Sequence, residues 1–278
     1  MRIGKKEFNV ETPFAGPTYV MGIMNVTPDS FSDGGRYNLI SNALKRAEEM
    51  ISQGVDIIDI GGESTRPGYT RITDEEEIER VCPFIEQIKA NFDIPISLDT
   101  YKSEVAKAGI GAGVDLINDV WGLRADGRMG EVIASSDIPC VLMHNRESLC
   151  SSNHLMEDMA EDFAETIKIA NQAGIKREKI ILDPGIGFAK DTAQNLEVLR
   201  KLKEFHSFGY PLLLGCSRKS VIGNTLNLPV DERMEGTLVT TVQAVFAGYS
   251  FVRVHDVLEN VRTVKMAMAI REDGGHER

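Results

Sequence analysis

The sequence predicts an α/β fold: a (β/α)8 TIM barrel with a short N-terminal β extension, in one domain spanning 1–278. Three observations lead there. Eight short apolar runs recur, at 19–26, 56–60, 95–98, 114–120, 139–143, 179–182, 211–214 and 251–254. Most are apolar throughout rather than alternating, as expected of strands covered on both faces of a parallel sheet. Amphipathic helical stretches separate them, so strand and helix alternate over a chain of the right length for one barrel. The competing arrangement is a doubly wound open sheet. It usually places G-x-G-x-x-G after its first strand, whereas this chain places Asn25-Val26-Thr27-Pro28-Asp29 there.

Residues 1–18 form a β-like preamble, with Phe8 and Val10 positioned to plug the floor of something larger. The first strand ends in an abrupt change of character. Asn25, Thr27, Asp29, Ser30, Ser32 and Asp33 are polar, Pro28 breaks the strand, and Gly34-Gly35 frees the turn. The stretch 41–53 sets Leu44, Ala47, Met50 and Ile51 on one helical face and stops at Gly54. Thr73 with Glu76 reads as a capping box opening a helix that Pro83 should kink or split. Further helices are expected at 102–112, 129–135, 155–173 (stopped by Gly174), 193–205, 235–246 and 260–270. Nothing between them has the composition of a linker.

Composition narrows the function. The net charge is −11 and 42% of residues are hydrophobic, so no global basic field exists to attract nucleic acid or a membrane surface. No run has the apolar length of a membrane span, and the first residues lack a signal-peptide core. The four cysteines form no CxxC pair. A cytoplasmic protein without disulfide or zinc is expected, with Cys140 and Cys216 as packing residues.

In a barrel the site is built at the C-terminal strand ends. The first strand brings Asn25; the second Asp59 and then Gly61-Gly62-Glu63-Ser64-Thr65-Arg66-Pro67-Gly68. The third brings Asp99 and Thr100, the fourth Asn118 and Asp119, the fifth Met143, His144 and Asn145. The sixth brings Asp183, Pro184 and Gly185, then Phe188 and Lys190. The seventh brings Ser217, Arg218, Lys219 and Ser220, and the eighth Arg253, His255 and Asp256. One acid closing one strand is commonly a helix cap. Polar ends on all eight point to a common pocket.

Residues i and i+2 of a strand share a face. Arg253 and His255 should point together, as should Ser217 and Lys219 if the seventh strand continues that far. This would make a cationic phosphate corner between strands 7 and 8, unless these cations serve salt bridges. Asp99, Asn118 and Asp183 face it, with Val120, Met143 and Phe188 as apolar neighbours. Buried carboxylates need donors, and a flat, nitrogen-rich heterocycle with a phosphorylated tail would supply them.

The strings MGIMNVTPDSFSDGG, GGESTRPG, SLDT, INDV, LMH, DPGIGFAK, GCSRKS and RVHDV occur in this order at these strand ends. Together they closely resemble the dihydropteroate synthases of folate biosynthesis, from about residue 19 to about residue 264. The resemblance implies condensation of 6-hydroxymethyl-7,8-dihydropterin pyrophosphate with p-aminobenzoate, releasing pyrophosphate, with Mg²⁺, a homodimer and competition by sulfonamides. By motif, Asp99, Asn118, Asp183 and Lys219 would hold the pterin, with Arg253 stacked on it and Met143 and Phe188 beside it. Asn25 would meet Mg²⁺ and pyrophosphate. Ser64, Thr65, Arg253 and His255 would take pyrophosphate oxygens. Thr65, Arg66, Pro67 and Ser217 would border p-aminobenzoate, with Phe31 closing over it on a lid formed by 28–35. Asp99, Asp183, Lys219 and Arg253 would carry a dissociative reaction. A methyltetrahydrofolate-binding methyltransferase would share the Asp and Asn contacts but lack the ESTRPG loop and the SRK and RVH motifs. A non-catalytic paralogue would be expected to lose Asn25, Arg66 or the first loop.

Overall fold

The computed structural model describes residues 1–10, 14, 16–26, 36–63, 71–150 and 154–271. A two-stranded antiparallel hairpin, β1 (Arg2–Ile3) and β2 (Lys6–Glu7), precedes the barrel. The barrel strands are β3 (Tyr19–Asn25), β4 (Ile57–Gly61), β5 (Ile96–Asp99), β6 (Leu116–Asp119), β7 (Cys140–Met143), β8 (Ile180–Asp183), β9 (Leu213–Leu214) and β10 (Phe251–Val254). All pair in parallel, in the order β8-β7-β6-β5-β4-β3-β10-β9. A parallel bridge between Leu182 and Leu212 joins the two ends, with Leu182 N donating to Pro211 O at 2.9 Å. The predicted barrel is therefore present.

Alternation along each strand divides the interior from the shell. Val20, Ile58, Ile60, Ile96, Leu98, Ile117, Leu142, Leu182 and Val252 point outward into the core shared with the helices. Met21, Ile57, Leu116, Val141, Ile181, Leu213 and Phe251 point inward as the lower layer of the barrel, where Ile3, Phe8 and Val10 of the N-terminal segment join them. Phe8 meets Tyr19 edge-on, with centroids 4.7 Å apart. The floor plug expected from Phe8 and Val10 is thus seen.

The helices are α1 (Arg36–Ser52), α2 (Asp74–Asn91), α3 (Ser103–Ala112), α4 (Met129–Ser136), α5 (Leu155–Ala173), α6 (Thr192–Arg200), α7 (Ser220–Leu226), α8 (Met234–Phe246) and α9 (Val257–Arg271). Four differences from the sequence reading have local causes. Pro83 does not split α2; burial of Val81, Phe84, Ile85 and Ile88 on one face outweighs the one backbone bond that proline forfeits. Thr73 Oγ1 accepts from Glu76 N at 3.2 Å, but the Glu76 carboxylate pairs with Arg80, so only half of that capping box forms. The complete box is Asp191 with Gln194, at the start of α6. That helix ends at Arg200 and continues as a 3-10 turn, Leu202–Phe208. α7, at seven residues, is too short to show a helical period and was absent from the sequence reading.

Phe8→Ala should cost about 3–5 kcal/mol of stability, the usual range for truncating a buried phenylalanine, read by urea unfolding. A loss below about 1 kcal/mol would show that the barrel floor does not depend on the plug.

Candidate active site

The site is the second inward layer of the barrel. Two residues beyond the floor layer, the inward positions are Asp59 on β4, Asn118 on β6, Met143 on β7, Asp183 on β8 and Arg253 on β10, with Gly215 just past β9. Ser97 and Asp99 are the inward pair of β5. One face of one set of strands is thus apolar at the bottom and polar at the top.

Arg253 organises this layer. Its Nε donates to Asp59 Oδ2 and its Nη2 to Asp99 Oδ2, both at 2.6 Å. Asp59 is fully buried and also accepts from Ser97 Oγ at 2.5 Å and from Asn118 Nδ2 at 3.4 Å. Asp99 Oδ1 is buried and has no hydrogen-bond partner among the described residues. Burial pushes the Asp99 carboxyl up to about 7, reinforced by Asp59 and opposed by Arg253. Burial alone would lower the Arg253 pKa, but the two carboxylates hold it above its ordinary value. The salt bridges of the alternative reading are present for this arginine, through its Nε and Nη2.

On the opposite side, Asp183 Oδ1 accepts from Gly185 N at 2.7 Å. Burial raises its pKa, and the Lys219 ammonium opposes the rise. Burial lowers the pKa of Lys219, opposed by Asp183. Lys219 Nζ lies 4.7 Å from the Phe188 ring centroid and donates to Ile186 O. A side chain at Gly215 would come within 3.5 Å of Asp183 Oδ2 and 3.9 Å of both Arg253 Cβ and Lys219 Nζ, so glycine keeps open the space on which these three groups converge. Tyr101, Val120 and Met143 form an apolar cluster against which Trp121 and Phe188 pack. The expected slot of Val120, Met143 and Phe188 is therefore assembled, with Tyr101 and Trp121 added.

β9 stops at Leu214, so strand alternation does not carry to Ser217 and Lys219. Lys219 caps α7 and turns to the Asp183 side. Ser217 does meet His255: its hydroxyl lies 3.0 Å from His255 Nδ1 and accepts from His255 N at 3.2 Å. Arg218 is taken by Asp256, with Nε to Oδ2 at 2.9 Å. Phe31, Asp33, Ser64, Thr65, Arg66 and Pro67, and with them the expected lid at 28–35, lie outside the described residues. Asp59 and Ser97 had no role in the sequence reading. Their inward register, two residues above Ile57 and two below Asp99, was the available signal.

Asn25 ends β3. A side chain at Gly61 would come within 3.6 Å of Asn25 Oδ1 and 3.8 Å of Asp99 Oδ2, so the space between those oxygens is open. Among the described residues, no group of three His, Cys, Asp or Glu could hold a metal. The donor set fits a hard cation that takes one amide oxygen from the protein and the rest from phosphate and water, as Mg²⁺ does.

Comparison with known proteins agrees with this geometry. A family model described as pterin binding enzyme matches residues 21–255. A dihydropteroate synthase of Clostridium beijerinckii is 57% identical over 267 residues, covering 96% of this chain and 97% of that protein. One of Bacillus subtilis is 51% identical, covering 93% and 90%. The fold matches a Clostridium difficile dihydropteroate synthase solved in the presence of pteroic acid, with TM-score 0.91 and 48% identity, covering 96% of this chain and all of that one. It also matches a Xanthomonas albilineans dihydropteroate synthase solved with 4-aminobenzoic acid, with TM-score 0.88 and 38% identity, covering 92% and 94%.

Arg253→Met leaves Asp59 and Asp99 without their shared cation and should destabilise by about 3–5 kcal/mol at pH 8. The sign with pH follows from Asp99. Its folded pKa is raised from 3.8 to about 7, so its contribution to stability is greatest at low pH and is lost as pH rises through that window. Loss of the guanidinium, which lowers the Asp99 pKa, raises that pKa further, so the penalty of the variant should grow as pH rises through about 7 and beyond, measured by urea unfolding. A penalty independent of pH would contradict the shared-cation account.

Proposed function

The chain belongs to the dihydropteroate synthases, pterin-binding enzymes of folate biosynthesis, and from that premise we propose how its own residues do the work. The substrates are 6-hydroxymethyl-7,8-dihydropterin pyrophosphate and p-aminobenzoate; the products are 7,8-dihydropteroate and pyrophosphate. The observation that carries the residue assignment is the buried Asp99 Oδ1, which has no hydrogen-bond partner among the described residues.

The pterin lies across the polar layer. Its amino and ring N–H groups donate to Asp99 Oδ1, Asp183 and the Asn118 amide oxygen, and Lys219 donates to a ring acceptor. Met143 and Phe188 flank its edge. Arg253, held along one edge by Asp59 and Asp99, offers its guanidinium plane to the ring. Asn25, Ser64, Thr65, His255 and Arg253 receive the pyrophosphate. Thr65, Arg66, Pro67 and Ser217 receive p-aminobenzoate, with Phe31 over it.

Three carboxylates, Asp59, Asp99 and Asp183, stand against two cations, Arg253 and Lys219. The pocket has more acid than base where the pterin becomes positive, so it favours early breaking of the C–O bond to pyrophosphate. The methylene cation then needs only a well-placed arylamine, whose proton is lost after attack. When bound at Asn25, Mg²⁺ would neutralise charge on the departing pyrophosphate. The chain would act as a cytoplasmic homodimer. Leu226, Val239 and Phe246 on α7 and α8 are exposed apolar side chains available to such a contact. No helix among the described residues is long and apolar enough to cross a membrane.

Purified protein with both substrates and Mg²⁺ should form dihydropteroate; a folded preparation that forms none would sink the reading. Asp183→Ala or Lys219→Ala should weaken pterin binding by about 10–100-fold, the usual cost of losing a charged hydrogen bond. Arg66→Ala should instead raise KM for p-aminobenzoate. Equal effects on both substrates would contradict separate pockets.

A further inference from the structure

The connection between β8 and α6 forms one wall of the pterin site, and a buried lysine outside that site holds it. Lys190, 7% exposed, donates from Nζ to Gly185 O and to Phe188 O, each at 3.0 Å, and lies 3.0 Å from His144 Nδ1. His144 is itself buried, with Nε2 2.8 Å from Asp162 Oδ2. Asp162 is fixed in turn by Arg124 at 2.8 Å and by Arg146. Burial pushes the His144 pKa down to about 4, so the ring is neutral at ordinary pH. With a carboxylate at Nε2, that nitrogen carries the proton and Nδ1 accepts. Three N–H donors of one ammonium then meet three acceptors: two turn carbonyls and an imidazole nitrogen.

The turn needs such a clamp. Gly185 has φ +67°, and a Cβ there would come 2.0 Å from His144 O. Ala189 has φ +49°, which a non-glycine residue adopts at a cost. A second lysine, Lys219, reaches this turn from the start of α7 and holds Ile186 O. Under the proposed reading, Lys219 must turn to the pterin, and Ile186 then loses that donor. Lys190 remains. Burying an ammonium without a direct carboxylate partner is costly, and burial pushes the Lys190 pKa down to about 7. The chain accepts that cost where Lys190 ties the turn to His144, just past β7.

We infer that Lys190 is a positioning residue for pterin recognition: it fixes the 185–188 turn so that Asp183 and Phe188 face the substrate while Lys219 is released to bind it. This rests on the pterin reading above. The relay runs from α5 through Asp162 and His144 to Lys190, and from there to the pocket wall.

The test compares Lys190→Met and Lys190→Arg with Asp183→Asn in the full chain. It measures KM for each substrate, calorimetric binding of 6-hydroxymethyl-7,8-dihydropterin, and thermal unfolding. Lys190→Met should raise pterin KM and Kd by about tenfold or more, leave KM for p-aminobenzoate within about threefold of wild type, and unfold cooperatively. Lys190→Arg, which keeps charge and donors, should recover part of the loss. If Asp183→Asn weakens pterin binding and Lys190→Met does not, the inference is overturned and the pocket reading stands. If Asp183→Asn has no effect, the pocket reading falls and takes this inference with it. Parallel rises in both KM values with a lowered Tm would reduce Lys190 to fold maintenance, also overturning it. Should Lys190→Met fail to fold, ¹⁵N NMR of His144 in the unmodified protein decides. The relay requires a neutral ring protonated at Nε2 at pH 7, and an Nδ1–H tautomer or an imidazolium would overturn it.

Discussion

The site depends on one ion pair with three members. Arg253 reaches from β10 across β3 to Asp59 on β4 and Asp99 on β5. These groups lie in the closed interior of a barrel, where an isolated charge would be costly and where each member is tolerable only because the others are present. The triad ties fold to chemistry in both directions. Barrel closure brings β10 beside β3 and so puts the arginine within reach. The arginine in turn makes it possible to bury two carboxylates above a floor of Met21, Ile57, Leu116, Val141, Ile181, Leu213 and Phe251.

The triad is also incomplete. Asp59 is saturated by Ser97, Asn118 and Arg253, whereas Asp99 keeps one oxygen without a donor. A native structure seldom leaves a buried oxygen in that state, and here it belongs to the inward polar layer of the barrel. With Asp183 opposite and Lys219 weakened as an acid-holding cation by burial, the pocket is short of donors and long in negative charge. A pterin corrects both: its N–H groups are donors, and its methylene becomes cationic as pyrophosphate leaves. Binding and rate then draw on the same surplus of acid over base, and no general base is needed before attack.

Much of this was legible in the sequence because it rests on period and position. Eight apolar runs with polar ends gave barrel and pocket together. The failures lie where tertiary packing or a strand end, rather than the local pattern, decides the outcome. Asp59 stood at a strand end without a role because Arg253, its partner, is 194 residues away. Pro83 seemed a break because its local cost is visible and the packing of Val81, Ile85 and Ile88 is not. The Ser217–Lys219 alternation assumed a strand that stops at Leu214. Lys190 ended a recognisable string, but its acceptors include two carbonyls of its own turn and a histidine 46 positions earlier.

The central claim is that the pocket holds a carboxyl awaiting donors, and proton counting tests it most directly. Near pH 7 Asp99 is partly protonated, its pKa being pushed up to about 7 by burial. Pterin N–H groups reaching Oδ1 favour the ionised form and should expel that proton. Calorimetry of 6-hydroxymethyl-7,8-dihydropterin in buffers of different ionisation enthalpy measures the exchange. The account predicts net proton release at pH 7 that disappears in Asp99→Asn. Binding with no release, or release of equal size in Asp99→Asn, would contradict it.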